Sequence, residues 1–341
     1  MKKKKLNIAY KKITRIRFIE QLGFLTGFSP HIIILQSALP GYDVFYVHKR
    51  HGGKRLIENP NPVLKSIQRK LNKYLQVVYY YRCPQSSHGF VINVKRGMKK
   101  GIISNARTHI GSKYMLNIDL KDFFHYVKYN MVYGIYNSDI FNFNNDLVKI
   151  LTDLSCKDER LPMGAPTSPV LANMACINMD LELESICKDF KIKYTRYADD
   201  MTFSGVNPIP DHLIKKIYLI INEAGFVVNE KKVKMRGIND IKKVTGIIVG
   251  NDLSLGVEFF EETRLEISKL KTLLELNHRY GGSKNKLIEK HKQKIEGFIN
   301  YATRIYGQDS ENVKSLINEL DKAISFDNFT EPMSWDDFPY I

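Results

Sequence analysis

Three aspartates stand at two places in the 341-residue sequence. Asp119 ends an apolar run, and Asp199 and Asp200 follow 80 positions later (199 minus 119), between two further apolar runs. Carboxylate oxygens are the hard ligands that Mg²⁺ prefers, and two such ions can lower the pKa of a 3′-hydroxyl and hold a leaving pyrophosphate. If one sheet edge gathers the three carboxylates, the sequence predicts phosphoryl transfer with two Mg²⁺ ions, for which Mn²⁺ could substitute.

The Asp199-Asp200 pair also has a plainer interpretation, because aspartate is common in tight turns. The flanking residues favour a metal site, since two adjacent like charges between apolar strands repel each other unless a cation offsets them. Adjacent side chains of a strand face opposite ways. We therefore expect Asp199 to be the surer ligand, and Asp200 to act mainly through its charge or at a partly occupied site.

Hydrophobic periodicity and turn residues place these aspartates in a chain of mixed helices and strands. Aromatic and β-branched residues before Gly52 and Gly53 predict a hairpin whose returning strand carries Lys54 and Arg55. The predicted strands cover residues 42–47, 55–57, 114–120, 193–197, 201–204, 227–234 and 244–249. Apolar residues at helical spacing predict helices over residues 11–25, 61–81, 168–183 and 210–224, and a helical pattern from about 258 to about 325.

The charge of the chain is strongly positive. Lys and Arg number 52 and Asp and Glu 36, which gives a formal net charge of +16 and an isoelectric point of about 9.4. This excess makes nucleic acid the leading partner, although lysine-rich surfaces are often only solvated and a passive binder is an alternative. No apolar run is long enough to span a bilayer, and the four cysteines contain no Cys-x-x-Cys pair. We expect a cytoplasmic protein with reduced thiols and no membrane partner.

Three motifs resemble those of reverse transcriptases. Residues 197–200, Tyr-Ala-Asp-Asp, are similar to the Tyr-x-Asp-Asp box of that family, and residues 117–124, Asn-Ile-Asp-Leu-Lys-Asp-Phe-Phe, resemble its first catalytic motif. Residues 161–169 resemble the loop and helix start that hold the incoming nucleotide. All three occur in the order that the family has. This resemblance implies an RNA-directed DNA polymerase whose metal ligands are the three aspartates.

Two shorter elements resemble those of bacterial retron reverse transcriptases. Residues 105–109, Asn-Ala-Arg-Thr-His, match an Asn-Ala-x-x-His element, and residues 244–246 match a Val-Thr-Gly element. The likeness extends from about Tyr42 to about Tyr306. It implies an enzyme that uses dNTPs and takes a cognate structured noncoding RNA of the msr-msd type as primer and template. The product would be msDNA, a single-stranded DNA branched from RNA, and a separate effector protein would act with it in antiphage defence.

The resemblance also implies an α+β chain with the right-hand polymerase fold. Residues 1–41 would form an N-terminal helical extension, and residues 42–110 the fingers. Residues 111–250 would form the palm, with an antiparallel sheet, helices and an interleaved part of the fingers. Residues 251–325 would form a helical, RNA-binding thumb, and residues 326–341 a C-terminal tail.

Carried over to this sequence, the motifs of the family imply a nucleotide site. Phe124 would exclude a ribose 2′-hydroxyl, although core packing is its alternative, and Asp122 would present its backbone to the triphosphate. Lys232, or Lys231 beside it, would protonate pyrophosphate. The other nucleotide-binding candidates are Lys54, Arg55, Gly164 and Ala165. For the two basic ones a solvated hairpin is the alternative. Many relatives have Gln at the position of Met163, which puts a polar contact there in doubt.

RNA contact is expected in the two retron elements and in the helical C-terminal part, because lysine suits the phosphates of RNA. The candidate residues are Asn105, His109, Val244, Thr245, Gly246, Arg279, Lys284, Lys290 and Lys294. Any one of the lysines alone could be a solvated surface residue. His109 lacks metal-ligand partners in the sequence, so we expect it to serve folding or RNA positioning and not general-base catalysis.

Two other functions stay open. A reverse transcriptase of a group II intron or of an abortive-infection system would share the motifs, although the intron enzymes normally add a maturase region, for which we expect no room after residue 325. A noncatalytic RNA-binding scaffold is the alternative from another class. The intact Asp119, Asp199 and Asp200 argue against the scaffold, because a scaffold would tolerate their replacement.

Overall fold

A computed structural model of the chain describes residues 3–48, 52–94, 99–279 and 286–325. The chain divides into two compact units, residues 1–245 and residues 246–341. Helices and antiparallel strands occur together, which confirms the predicted α+β class. The predicted C-terminal tail lies outside the described residues.

The bounds of the elements are as follows. The helices are α1 (Lys3–Thr14), α2 (Ile19–Thr26), α3 (Pro30–Ala38), α4 (Pro62–Arg82), α5 (Ile102–Thr108), α6 (Phe123–Tyr126), α7 (Tyr129–Tyr136), α8 (Asn145–Ser155), α9 (Ser168–Ala175), α10 (Ile177–Asp189), α11 (Asp211–Glu223), α12 (Val257–Arg279), α13 (Lys286–Tyr306) and α14 (Glu311–Ser325). The strands are β1 (Tyr42–His48), β2 (Lys54–Pro60), β3 (Tyr114–Asp119), β4 (Lys193–Tyr197), β5 (Asp200–Gly205), β6 (Lys234–Arg236), β7 (Lys243–Val244), β8 (Ile247–Val249) and β9 (Leu253–Ser254).

A four-stranded sheet in the order β4-β5-β3-β6 forms the centre of the first unit. Its neighbouring strands are antiparallel, and the register pairs Asp119 of β3 with Asp200 of β5. Strand β4 pairs with β5 so that Tyr197 also lies opposite Asp200. Separately, β1 and β2 form the predicted hairpin, with Tyr42 opposite Pro60 and His48 opposite Lys54.

Helix α4 belongs to the core of the first unit. Pro62 occupies its first turn, and the Asn61 side chain accepts a hydrogen bond from the Leu64 backbone N–H at 2.8 Å, which caps the N-terminus of the helix. One face of the helix is at most 1% exposed, at Leu64, Ile67, Leu71 and Leu75. Burial of this stripe joins α4 to the core around the sheet.

The predicted single helix over residues 11–25 is wrong, because the chain breaks between α1 and α2. The Gln21 side chain accepts hydrogen bonds from the backbone N–H groups of Arg17, at 2.7 Å, and Phe18, at 3.3 Å, and so begins a new helix. The Arg17 guanidinium donates to the carbonyls of Thr14 and Ile16 at the end of the first one. The apolar stripe is buried on two helices instead of one.

Three other predicted elements are interrupted. The predicted helix over 168–183 is split into α9 and α10 at Cys176, whose N–H is shared between the carbonyls of Ala172 and Asn173. The predicted strand over 227–234 is mostly wrong, because residues 230–232 form a 3₁₀ turn, Val228 makes only an isolated bridge with Leu120, and Lys234 is already the first residue of β6. The predicted strand over 244–249 is broken by left-handed backbone at Thr245, where φ is 47°, and at the following glycine.

The second unit is helical after a short hairpin. Strands β8 and β9 pair antiparallel, with Ile248 opposite Ser254. Helices α12, α13 and α14 pack around Leu270, Ile295 and Leu316, each 0% exposed, which confirms the helical pattern predicted up to about residue 325. Within the described residues of both units, no helix combines the length and apolarity needed to cross a membrane.

Candidate active site

The structure brings the three aspartates to one edge of the central sheet. Asp119 is the last residue of β3, and Asp200, the first of β5, lies opposite it. Ala198 takes a left-handed conformation with φ of 58°, which makes the turn from β4 into β5 tight. The Leu120 backbone N–H then donates to the Asp199 carbonyl at 3.0 Å. The convergence expected from the spacing of these residues is therefore present.

Asp119 is held by two side chains of the segment after α11. Asn229 Nδ2 donates to one carboxylate oxygen at 3.0 Å, and Lys232 Nζ donates to the other at 2.8 Å. The Asn229 backbone N–H also donates to the Asp119 carbonyl at 2.8 Å. Of the two lysines considered for this place, Lys232 is the one that reaches Asp119. We did not identify Asn229 from the sequence, because an asparagine in a polar turn has no distinguishing pattern.

The carboxylates of the turn are harder to ionise than free aspartate. Burial, followed by the negative charge of Asp119, raises the pKa of Asp199, and Lys232 and Arg55 partly oppose this. Asp200 has an exposed surface, but surrounding protein atoms displace much of the water near its carboxylate. This desolvation and the negative charges of Asp199 and Asp119 raise the pKa of Asp200 to about 6. A cation between these groups would relieve their repulsion.

The donor set fits a hard divalent cation, since it consists of carboxylate oxygens at one sheet edge. Among the described residues, however, no three His, Cys, Asp or Glu side chains stand ready to hold an ion. Asp119 is engaged by Lys232 and Asn229. An ion would therefore have to attract a carboxylate that is already ion-paired.

A buried ion pair supports the turn that carries Asp199 and Asp200. Arg196 and Asp180 are both 0% exposed, and their side chains form hydrogen bonds of 2.8 and 2.6 Å. The same guanidinium donates to the Asn173 side chain at 2.9 Å and to the Ala198 carbonyl at 3.0 Å. Asn173 in turn donates to the Gly89 carbonyl at 2.8 Å. Because α10 and β4 carry other charged residues as well, nothing in the sequence set Asp180 and Arg196 apart as partners.

The predicted RNA contacts of the first retron element need a correction. His109 is 0% exposed, and its ring bridges Ser204 and Thr195 at 2.7 Å each, so it joins α5 to β5 and β4. Burial lowers its pKa to about 3, which keeps the ring neutral. Asn105 is 1% exposed. Neither side chain can touch RNA from the interior, so the folding role considered for His109 is the one that its surroundings support.

The second retron element is only partly accessible. Val244 is 0% exposed, so its side chain, like those of the first element, is unavailable to RNA. Thr245 is half-buried, and its hydroxyl donates to the Ile102 carbonyl at 3.4 Å. Gly246 is exposed.

The predicted steric gate is part of an aromatic cluster. Phe124 is partly buried, and its ring centroid is 5.4 Å from that of Phe123 and 6.3 Å from that of Phe90. Phe90 also lies 6.3 Å from Tyr197, so one ring contacts two of the recognised motifs. Asp122 is exposed in a left-handed conformation, and its carbonyl accepts from the backbone N–H of His125 at 2.8 Å.

Glu58 joins the hairpin to the loop that resembles the nucleotide-holding loop. Its side chain is 1% exposed and accepts from Arg160 at 2.8 Å and from the Met163 N–H at 3.2 Å, with Lys157 at 3.3 Å. Burial alone would raise the pKa of Glu58. Arg160, the Met163 N–H and Lys157 together outweigh this effect, so the pKa of Glu58 is lowered. Gly164, with φ of 137°, passes so near that a Cβ there would lie 2.6 Å from the Glu58 carbonyl oxygen.

The remaining nucleotide-site candidates differ in accessibility. Lys54 and Arg55 are exposed on β2, and Arg55 is near enough to Asp199 to lower its pKa in part. Gly164 is exposed, whereas Ala165 is 3% exposed and contributes packing instead of a free side chain. Glu58 was not identified from the sequence, although a charged residue inside a half-buried strand was a usable signal.

In the second unit, the basic candidates are unequal. Arg279 and Lys290 are exposed. Lys294 is ion-paired with Glu266 at 2.7 Å, and Lys269 lies 3.0 Å from the same carboxylate. These two lysines lower the pKa of Glu266 to about 2. Lys284 lies outside the described residues.

Known proteins resemble this chain in both sequence and fold. The family described as reverse transcriptase (RNA-dependent DNA polymerase) matches residues 47–249. The chain is 29% identical to the retron Ec86 reverse transcriptase of Escherichia coli over 301 residues, which cover 85% of this chain and 84% of that protein. It is 29% identical to the retron Mx65 reverse transcriptase of Myxococcus xanthus over 291 residues, 80% of this chain and 63% of that one.

A solved telomerase structure from Candida albicans, in complex with a fragment of telomeric RNA, superposes with a TM-score of 0.50 at 10% identity. The likeness covers 86% of this chain and 64% of the telomerase chain, and at that identity it shows the fold alone. It confirms the right-hand polymerase fold. With the match over more than half of its length, the chain belongs to the reverse transcriptase family, as an RNA-directed DNA polymerase of the bacterial retron type.

Proposed function

We propose that this polymerase copies a cognate noncoding RNA of the msr-msd type into msDNA, a single-stranded DNA branched from that RNA. The observation that carries the proposal is the register of the central sheet, which sets Asp119 opposite Asp200 and beside Asp199. The similarity to several retron enzymes supports the choice of RNA.

In this proposal, residues 42–110 act as fingers, 111–250 as palm and 251–325 as thumb, after an N-terminal extension over 1–41. The sheet with the aspartates would be the floor of the palm. The hairpin of β1 and β2 would close over the nucleotide, in agreement with the electrostatic effect of Arg55 on Asp199. The exposed Arg279 and Lys290, and to a lesser extent the ion-paired Lys294, would bind RNA phosphates.

The aspartates would hold two divalent cations, Mg²⁺ or Mn²⁺. These cations would lower the pKa of the attacking hydroxyl and place positive charge beside the leaving pyrophosphate. Lys54 and Arg55 bind the triphosphate of the dNTP, and the backbone of Asp122 faces it. Lys232 carries a proton at Nζ, 2.8 Å from Asp119, from where it can protonate the pyrophosphate. Phe124 excludes the 2′-hydroxyl, and Gly164 leaves room for the nucleotide.

The proposed setting is the cytoplasm, where dNTPs and the RNA are available. A separate effector protein would receive the RNA–DNA product and act in antiphage defence. Both parts of the proposal rest on the similarity to retron enzymes.

The experiment is DNA synthesis with Mg²⁺ by the protein copurified with its own RNA. Wild type is compared with Asp199→Asn and Asp200→Asn, and with Asp139→Asn as a control for loss of an exposed carboxylate. We expect wild type and the control to yield DNA that stays joined to RNA until a debranching enzyme acts, and the two site variants to yield none. Unbranched DNA would favour an intron-like or abortive-infection enzyme, and no synthesis on any primer-template would favour the scaffold.

A further inference from the structure

A second cleft opens in the first unit, away from the catalytic turn. It has a volume of about 1050 Å³ and lies along the outer strand β4, against which α5 and α10 both pack. Its floor includes Lys193 at the start of β4, whereas Tyr197 at the other end of the strand leads into the catalytic turn. Lys193 and Tyr197 are four positions apart along the strand, about 13 Å, and the lining of the cleft extends along β4 as far as Thr195.

The lining of the cleft is basic. It includes Lys100, Lys188, Lys191 and Lys193 but a single carboxylate, Glu184. None of the four lysines forms an ion pair with any residue that the structure describes. Glu184 accepts a hydrogen bond from the backbone N–H of Ser86 at 2.6 Å, and its single negative charge offsets only one of the four lysines. The cleft therefore carries net positive charge that the chain leaves unneutralised.

Lys100 contributes a buried part of that charge. It is only 7% exposed, and its ammonium donates to the backbone carbonyls of Gln85 and Pro84. Burial lowers the pKa of Lys100, which shows that its charged form is disfavoured where it stands. A buried charge is costly unless an opposite charge offsets it, and an anion in the cleft would do so.

Ser86 gives an independent sign of a missing ligand. It lines the same cleft and is 3% exposed, and its hydroxyl has no hydrogen-bond partner among the described residues. Buried polar groups are nearly always satisfied, so an unpartnered hydroxyl in a cleft lined by lysines indicates a hydrogen-bonding group that the described residues do not supply.

We propose that this cleft binds the phosphodiester backbone of a single-stranded RNA segment. At about 1050 Å³, the cleft lies at the upper end of the volumes usual for ligand sites. Exposed Leu181 adds apolar surface beside the lysines, and a positively charged groove is the feature by which proteins track the backbone of a single strand. The inference rests on the proposed function and deepens it, because it gives the cognate RNA a second site that is separate from the catalytic edge.

The test uses the full chain and a fluorescently labelled oligouridylate, with an unlabelled RNA–DNA hybrid added in saturating amount to fill the polymerase site. Lys188→Glu/Lys191→Glu reverses two exposed charges of the cleft. Lys215→Glu/Lys216→Glu is the matched control, because these lysines are exposed on α11 and line no part of the cleft. Ser185→Trp fills the cleft without changing its charge. Anisotropy is measured over a series of salt concentrations.

We expect wild type and the α11 control to bind the oligouridylate in the presence of the hybrid. The cleft double variant should bind roughly tenfold more weakly, with a salt slope about 1.4 smaller for two lost phosphate contacts. Ser185→Trp should also weaken binding. Complete displacement of the probe by the hybrid from wild type, or equal weakening by both charge reversals, would overturn the proposal. The measurement needs no DNA synthesis, so its outcome is distinct from that of the polymerase test.

Discussion

Phe124 makes the proposed discrimination between dNTPs and ribonucleotides testable at a single side chain. Phe124→Ala removes the ring that would clash with a 2′-hydroxyl, so we expect incorporation of ribonucleotides relative to dNTPs to rise by roughly tenfold to a hundredfold. The measurement is the ratio of kcat/KM for the two nucleotides on one primer-template. Phe124→Tyr keeps the ring and should retain discrimination. If Phe124→Ala lowered both rates equally, Phe124 would be a packing residue only.

The convergence of the three aspartates at one sheet edge was predictable from the sequence, because few arrangements place carboxylates between apolar strands. Carboxylates at Asp119, Asp199 and Asp200 stand out in apolar surroundings, and the structure gathers all three. The choice between Lys231 and Lys232 was not predictable, since a 3₁₀ turn, and not the expected strand, decides which lysine reaches Asp119. Asn229 and Glu58 escaped prediction because their partners lie far away in the sequence.

His109 links stability to pH. Its folded pKa is about 3 and its unfolded pKa about 6.5, so the unfolded chain binds more protons between those values. The stability that the neutral ring contributes is therefore complete above about pH 6.5 and falls as the pH is lowered. At about pH 5 the loss attributable to His109 is about 2 kcal/mol.

The test compares the free energy of unfolding at about pH 7.5 and about pH 5 by chemical denaturation. His109→Gln should be less stable than wild type at the higher pH, because two buried hydrogen bonds are disturbed, but should lose less on acidification. His31→Gln, at an exposed position, should behave like wild type. An unchanged pH dependence in His109→Gln would contradict the assignment.

At the scale of elements, Glu58 connects the β1–β2 hairpin to the loop around Met163. Glu58→Gln keeps the shape but removes the charge that Arg160 and Lys157 share, so we expect a loss of about 3 kcal/mol in the free energy of unfolding. We also expect a higher KM for dNTPs, because the loop loses its fixed distance from the hairpin. Because the pKa of Glu58 is lowered on folding, its contribution is present above the unfolded pKa and disappears as the pH falls through the folded one.

Denaturation at neutral pH and steady-state kinetics measure the two effects. Glu159→Gln, an exposed neighbour of Arg160, is the control and should change neither quantity. Destabilisation without any change in KM would show that the hairpin and the loop bind nucleotide independently.

Elements were predictable where local signals were strong. The hairpin, α4 and the strands around the catalytic turn have clear periodicity, caps or turn residues, and each is present. The single helix predicted over residues 11–25 is wrong because hydrophobic periodicity indicates which residues are buried, but not that Gln21 caps the start of a new helix. The strand predicted over residues 244–249 is wrong because its apolar residues flank a left-handed turn at Thr245. Threonine rarely adopts a left-handed conformation, so the sequence does not indicate a turn there.

For the whole molecule, the net charge of +16 predicts binding to RNA that weakens steeply with salt. The structure indicates which lysines should contribute more, and which less, to the salt dependence of RNA binding. Lys290→Ala should reduce the slope of log affinity against log salt by about 0.7, the value for one phosphate contact with a single strand. Lys294→Ala should reduce it less, because Glu266 already neutralises Lys294.

Salt titrations of RNA binding to the two variants provide the comparison. Equal changes in slope would mean that the Lys294–Glu266 pair opens when RNA binds. Net charge alone predicted the class of partner, but it could not rank these lysines, because ion pairing depends on which acidic side chain the fold brings near each one.

The order of the central sheet has a consequence for how the protein behaves in concentrated solution. Its two outer strands, β4 and β6, would offer unpaired backbone groups to another copy of the chain. The backbone of Ser86 and His88 covers β4 at Arg196, Lys193 adds charge beside it, and β6 is only three residues long. A short strand, a covered edge and lysine are the features by which sheets avoid aggregation. The sheet that carries Asp119 and Asp200 is thus protected against pairing with its copies, even when no nucleic acid covers it.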